Sequence, residues 1–282
     1  MKITPKSSIG IIGGRGRTGG QFARLLKQAG FSVTVTGKDD ARQNRAILDR
    51  CDVVLFSLPL KDAASIIRSE LRDAHRKDQL ILDVSSLKTD QVQAMLTAPG
   101  EVIGMHPLFG PGTDPTGELV ILCPARAKSG TIASLKRLLA SLKLKTQTMT
   151  PEAHDELMGM VQAIPHLKSL LMADVLRALG ADLHKALRTC TPTYELEFNV
   201  IGRFLDDHAD LYMPIIFSNP EIKKILRTLK RTINQYIAIA DRRDLPAAEA
   251  RYRACKRTFS PFLKQARSHS EACISTLLSL SR

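Results

Sequence analysis

Residues 14–19 read Gly14-Arg15-Gly16-Arg17-Thr18-Gly19, a G-x-G-x-x-G run between a β-branched stretch at 9–12 and a helical stretch at 21–29. In that context each glycine meets a steric demand, the first for a tight turn, the second for close approach of backbone to a pyrophosphate, and the third for close helix–strand packing. The helix start behind the loop would turn its free N–H groups toward phosphate. A glycine-rich turn that merely packs is the plainer alternative. Three later segments end β-like runs and carry groups that could bind or react: Leu58-Pro59, the stretch 83–88 with Ser86 and Lys88, and the stretch 104–111 with His106. Ligands of a doubly wound sheet bind beyond the carboxyl ends of its strands. A hydroxyl, an ammonium and an imidazole should therefore converge on one edge of the sheet.

The elements that must position these groups divide the chain in two. Short apolar runs at 9–12, 33–36, 53–58, 80–84, 102–105 and 119–123 alternate with helical stretches, mostly about twenty residues apart, which is βαβ spacing. An α/β fold follows, with a Rossmann-type doubly wound parallel sheet over residues 1–149. From Thr150-Pro151-Glu152, a helix start with an N-cap hydroxyl and Pro at the first position, the β signal ceases. Residues 150–282 should form an all-helical domain with helices over 151–179 (Gly180 as its stop), from Thr191-Pro192, and over 221–240 and 246–280. No spacer separates the halves, so they should pack with a cleft between them. Gln162 and His166 lie four apart and share a face of the first helix, and Pro165 between them should kink it. On residue type alone, a lone His or Arg on such a helix reads equally well as a satisfied hydrogen-bonding group.

The end of the second strand bears on cofactor type. An NAD site usually has Asp or Glu there for the ribose 2′-hydroxyl, whereas a 2′-phosphate needs positive charge. The strand ends Val35-Thr36-Gly37-Lys38, with Arg15 and Arg42 available nearby, so NADP is expected ahead of NAD; Asp39 and Asp40 argue the other way.

The formal charge is +13, with 22 Lys+Arg against 13 Asp+Glu in residues 1–150, leaving 19 against 15 in the remainder. The basic residues are scattered and unaccompanied by aromatics, which predicts no nucleic-acid partner and favours a solvated surface that attracts small anions. Five widely spaced cysteines, none in a C-x-x-C, read as reduced packing residues, and the histidines show no metal-ligand spacing; no metal is expected. With no secretory h-region and no long apolar run, a cytoplasmic protein without a membrane partner is expected. Apolar helix faces around Ile215, Ile216, Ile222, Ile225, Leu226 and Leu229 predict a homodimer.

The stretches 13–19, 83–88, 106–111, 154–155, 162–166 and 202–203, followed by Tyr212, occur in the order found in the prephenate dehydrogenases, and the chain resembles that family. The H-P-x-F-G-P segment followed by the helical residues distinguishes it from other Rossmann dehydrogenases. The resemblance implies that His106 takes up the proton of the ring 4-hydroxyl while hydride leaves C4. It implies that Ser86 bonds near that hydroxyl, that Lys88 acts with them by orienting substrate or the neighbouring loop, and that Arg203 holds a carboxylate of a small anionic substrate. Gln162, His166 and Tyr212 would line the pocket. Prephenate is expected, with arogenate and 4-amino-4-deoxyprephenate as alternatives, and no chorismate mutase segment is seen, so a monofunctional enzyme is expected. A β-hydroxyacid dehydrogenase would place a catalytic lysine on the long helix; Lys168 is there without that family's pattern. An NADP-binding redox-sensing regulator would not need Ser86, His106 and Arg203 together.

Overall fold

The computed structural model describes residues 1–38 and 40–280. Seven strands, β1 (Ser8–Ile12), β2 (Ser32–Val35), β3 (Val53–Phe56), β4 (Leu80–Asp83), β5 (Glu101–Pro107), β6 (Leu119–Arg126) and β7 (Lys145–Thr148), form one sheet in the order β2-β1-β3-β4-β5-β6-β7. The first five are parallel, joined through α1 (Arg17–Gln28), α2 (Ala41–Arg50), α3 (Leu60–Glu70) and α4 (Thr89–Met95). Central strands β3 and β4 are buried along their whole length, as expected where helices cover both faces. One apolar cluster, including Phe22, Leu55 and Leu135, fills one face, and another, including Phe56, Ile67 and Met95, fills the other.

The sheet is mostly parallel, as the doubly wound pattern predicts, and the one exception is β6, which runs antiparallel to β5. The link between them holds no helix, and a parallel return needs a crossover of a dozen or more residues. Strand β7 then pairs parallel to β6 after α5 (Ser129–Ser141). Its sequence, KTQT, has no apolar face to betray a strand; it is an exposed edge.

The helical part comprises α6 (Pro151–Met158), α7 (Ile164–Ala178), α8 (Leu183–Thr189), α9 (Pro192–Asp206), α10 (Ala209–Phe217), α11 (Ile222–Arg242), α12 (Leu245–Phe259) and α13 (Leu263–Leu280). The single helix expected over 151–179 is interrupted by a π-helical segment, Gly159–Ala163. Pro165, which has no N–H to donate, lies two residues beyond its end, in the first turn of α7. Thr150 does cap α6, its hydroxyl accepting from Ala153 N–H, and Gly180 ends α7 at a φ of 63°. The stretch expected to run unbroken over 246–280 divides at Ser260-Pro261.

The chain forms two compact units, one of Met1–Gln162 with Asp210–Pro220, the other of Ala163–Ala209 with the residues from Glu221 onward. In the first, Ile215 and Ile216 are buried, and in the second Ile222 is buried. These three are core residues rather than parts of an outward face. The helical unit exposes other large apolar side chains, among them Leu226, Ile233, Tyr236 and Ile237 on α11 and Tyr252 on α12. Cys51 and Cys123 are buried, whereas Cys255 and Cys273 are exposed, so packing accounts for only the first pair. Among the described residues no helix is long and apolar enough to cross a membrane.

Candidate active site

Strand β1 delivers the chain into a turn where side chains do not fit. Gly13 has a φ of 81°, and a Cβ there would lie 2.1 Å from Ser57 O, a position only glycine occupies without strain. A Cβ on Gly14 would meet Val35 at 2.8 Å, and one on Gly19 would meet Gly13 O at 2.7 Å, whereas Gly16 has only Gly13 O at 3.2 Å. Gly13, Gly14 and Gly19 thus serve close packing, and Gly16 presents open backbone. Gly16 is also the N-cap of α1, whose first turn has no side-chain cap. The cradle fits a pyrophosphate approaching the N-terminal N–H groups of α1 beside Arg17 and Thr18.

At the end of β2, Arg15 lies over Gly37, where a Cβ would stand 3.0 Å from its Cδ. Asp40 ties these together: its Oδ2 accepts from Gly37 N–H at 2.9 Å and pairs with Arg15 Nη1 at 3.0 Å. Lys38 is exposed, and Asp39 lies outside the described residues. Leu58 is half-buried, and Pro59 is the N-cap of α3.

The reactive edge is built where β4 and β5 end. Lys88 is fully buried and its ammonium donates to Asp83 Oδ2 at 2.5 Å and to Met105 O at 2.7 Å. The resemblance puts it among the catalytic residues; in the structure its ammonium is engaged inside the fold, tied to the end of β4 and to the strand that bears His106. Gly104 leaves it passage, since a Cβ there would come within 2.9 Å of Lys88 Cδ. His106 is 3% exposed. Its Nδ1 lies 2.9 Å from His154 Nε2, and its Nε2 lies 3.4 Å from Gln162 Nε2. Ser86 is half-buried, and His106 bonds to His154 and Gln162 rather than to it. Beyond His106 the chain is pinned to α1, with Gln21 Nε2 donating to Thr113 O at 2.9 Å and Phe22 packed on Phe109.

In the helical unit, His166 on α7 stacks on Phe204 of α9, ring centroids 5.8 Å apart. Arg203, the preceding residue, is exposed in the last turn of α9. The α7 and α9 pairing therefore gathers His166 and Arg203 on neighbouring helices. Tyr212, on α10, is half-buried and belongs to the unit that holds the sheet. Lys168 gives its ammonium to Glu197 at 2.9 Å in an exposed pair.

Residues 22–148 match the nucleotide-binding domain of prephenate dehydrogenase, and residues 150–250 match the dimerization domain of the same enzyme. The chain belongs to the prephenate dehydrogenase family. It is 31% identical over 254 residues to the "Probable arogenate/prephenate dehydrogenase" of Methanocaldococcus jannaschii, covering 83% of this chain and 56% of that protein. It is 29% identical over 236 residues to the "T-protein" of Haemophilus influenzae, covering 83% and 62%. The chain thus spans about three fifths of the length of these curated relatives. Its fold is similar to that of the prephenate dehydrogenase from A. aeolicus crystallised with hydroxyphenyl propionate and NAD+, with a TM-score of 0.71 at 20% identity, covering 92% of this chain and 99% of that one.

For a chain of the prephenate dehydrogenase family, the electrostatics at His106 are informative. Burial, then the neighbouring His154 and Lys88, hold its pKa well below 6.5, so the ring is neutral at neutral pH. Asp155 is pushed up by burial, but the His154 ring, the Thr89 hydroxyl and the N–H groups of Thr89 and Lys88 together bring its carboxyl below 3.8. The His154-Asp155 pair belongs to the family resemblance, yet residue types assign neither residue a role. Asp155 holds the start of α4 from outside the helix, accepting from Lys88 N–H, Thr89 N–H and Thr89 Oγ1, and its carbonyl accepts from Asn219 Nδ2. These links are between residues over sixty positions apart, so no local pattern announces them.

Proposed function

We propose that this protein oxidatively decarboxylates prephenate to 4-hydroxyphenylpyruvate in tyrosine biosynthesis, in the cytoplasm. The observation that carries the reading is His106: a neutral, buried imidazole at the carboxyl end of β5, held through Nδ1, with Nε2 as the remaining nitrogen. A general base of this kind is poised to take the proton of the ring 4-hydroxyl. When bound, a nicotinamide dinucleotide would supply the hydride acceptor, with Gly14, Arg15, Gly16, Arg17, Thr18 and Gly19 holding its phosphates and Leu58 and Pro59 flanking it. Loss of the hydroxyl proton and of hydride from C4 gives a dienone. Its ring carboxylate departs as carbon dioxide, and aromatisation drives that step. Ser86 would bond near the hydroxyl, Gln162, His166 and Tyr212 would bind substrate, and the exposed guanidinium of Arg203 suits a substrate carboxylate.

NADP is proposed ahead of NAD because β2 ends without a carboxylate and Arg15 lies over Gly37 with Lys38 beside it; Asp40 is occupied by Arg15 and Gly37 N–H. The apolar side chains exposed on α11 support a homodimer through the helical unit. Arogenate is the second reading, favoured by the name of the M. jannaschii relative. Purified protein assayed with prephenate and with arogenate, each with NAD and NADP, is expected to reduce cofactor fastest with prephenate and NADP. No turnover with either substrate would overturn the activity, and higher catalytic efficiency with NAD would overturn the cofactor preference.

A further inference from the structure

Three side chains run in file away from the reactive edge. Asp155 Oδ1 lies 2.7 Å from His154 Nδ1, and His154 Nε2 lies 2.9 Å from His106 Nδ1. Both rings are almost fully buried, set edge to face at 65°, so bulk water has no access to offer either nitrogen another partner. The Asp155 carboxylate accepts from four donors, and an ionised carboxylate can do nothing else. The hydrogen in the first link must therefore sit on His154 Nδ1. A neutral His154 then has a lone pair at Nε2, and the hydrogen in the second link must sit on His106 Nδ1. What remains at His106 is a bare Nε2, facing an amide nitrogen of Gln162 that can only donate.

We infer that His154, anchored by Asp155, is a positioning residue that fixes His106 as its Nδ1–H tautomer and so reserves Nε2 as the base. Which nitrogen of an imidazole carries the hydrogen is set by the bond that the other makes. With the opposite tautomer His106 would present N–H to the substrate hydroxyl and accept no proton from it. Once Nε2 has taken a proton, the Nδ1–H bond to His154 becomes charge-assisted and stronger, so the same contact that sets the ground state also favours the protonated one. The inference rests on the proposed dehydrogenase reading for its catalytic consequence, but the tautomer itself does not.

The tautomer is read in the full-length wild-type protein, labelled with 15N-histidine, by long-range 1H–15N correlation. His106 is expected to show a protonated Nδ1 and a bare Nε2, and His154→Leu is expected to lose that signature. In His154→Leu, kcat with prephenate should fall by about 10²-fold with little change in the Kd of cofactor. His154→Gln, whose side-chain oxygen can stand in for Nε2, should stay within about tenfold of wild type. A wild-type His106 carrying hydrogen on Nε2, or a His154 protonated on both nitrogens, overturns the inference, and so does unchanged kcat in His154→Leu. Should His154→Leu fail to fold, the wild-type spectrum and His154→Gln still decide. The expected tautomer in a protein that turns over neither prephenate nor arogenate would reject the dehydrogenase reading alone.

Discussion

Lys88 and His106 are both buried near the ends of adjacent strands, and burial has opposite consequences for them. The Lys88 ammonium has Asp83 and a carbonyl as partners, so its charge is compensated where it lies. His106 bonds to a second imidazole and an amide rather than to a carboxylate and stays neutral, which is the state a base needs. Lys88→Met leaves Asp83 buried without its cation, and urea unfolding should show a loss of about 3–5 kcal/mol; Lys88→Met combined with Asp83→Asn should recover part of it. His106→Asn, by contrast, should lower kcat by about 10²- to 10⁴-fold while cofactor binding, followed by fluorescence titration, stays the same. An unfolded Lys88→Met would fit this picture; a fully stable one would contradict it.

Helices α6 and α7 are one helix in sequence pattern but two in structure, and the π segment between them carries Gln162 to His106. One extra residue per turn changes which side chains face the reactive edge. Deleting Met160, which is exposed, should convert the segment to α-helix and rotate Gln162 by about 100°. The expected outcome is a folded protein by circular dichroism with kcat reduced about tenfold or more, and an unchanged kcat would show that Gln162 has no part. The Thr150 cap, Pro165 and Gly180 were all legible in the sequence because they act within one turn. The π geometry was not, since Pro165 announces an interruption and tertiary packing chooses its form.

At the scale of the molecule, acid should destabilise the protein through His106. Its pKa in the folded state lies below the 6.5 expected when unfolded, so the unfolded chain binds the proton first. Stability is then fully present above about pH 6.5 and declines as pH falls from there toward the folded pKa. Asp155, also depressed, adds a loss of the same sign below about pH 3.8. Urea midpoints measured from pH 8 to 5 should fall, and His106→Asn should flatten that fall. For the helical unit, Arg203→Ala is expected to raise the KM for prephenate by about tenfold or more at nearly constant kcat, and light scattering at micromolar concentration is expected to give twice the chain mass.

Residue order by itself determined the glycine loop, the five parallel strands, the helical second half and the family, because each depends on short-range periodicity or on steric demands that only glycine and proline meet. Tertiary structure alone decided that β6 turns antiparallel, that polar KTQT becomes an edge strand, that Ile215, Ile216 and Ile222 point inward, and that the Lys88 ammonium is buried against Asp83. It also decided that His154 and Asp155 stand behind His106. Those outcomes depend on which distant groups share a low-dielectric interior, where an unpaired charge or an unmatched N–H is costly, and such partners are chosen by folding rather than by spacing along the chain.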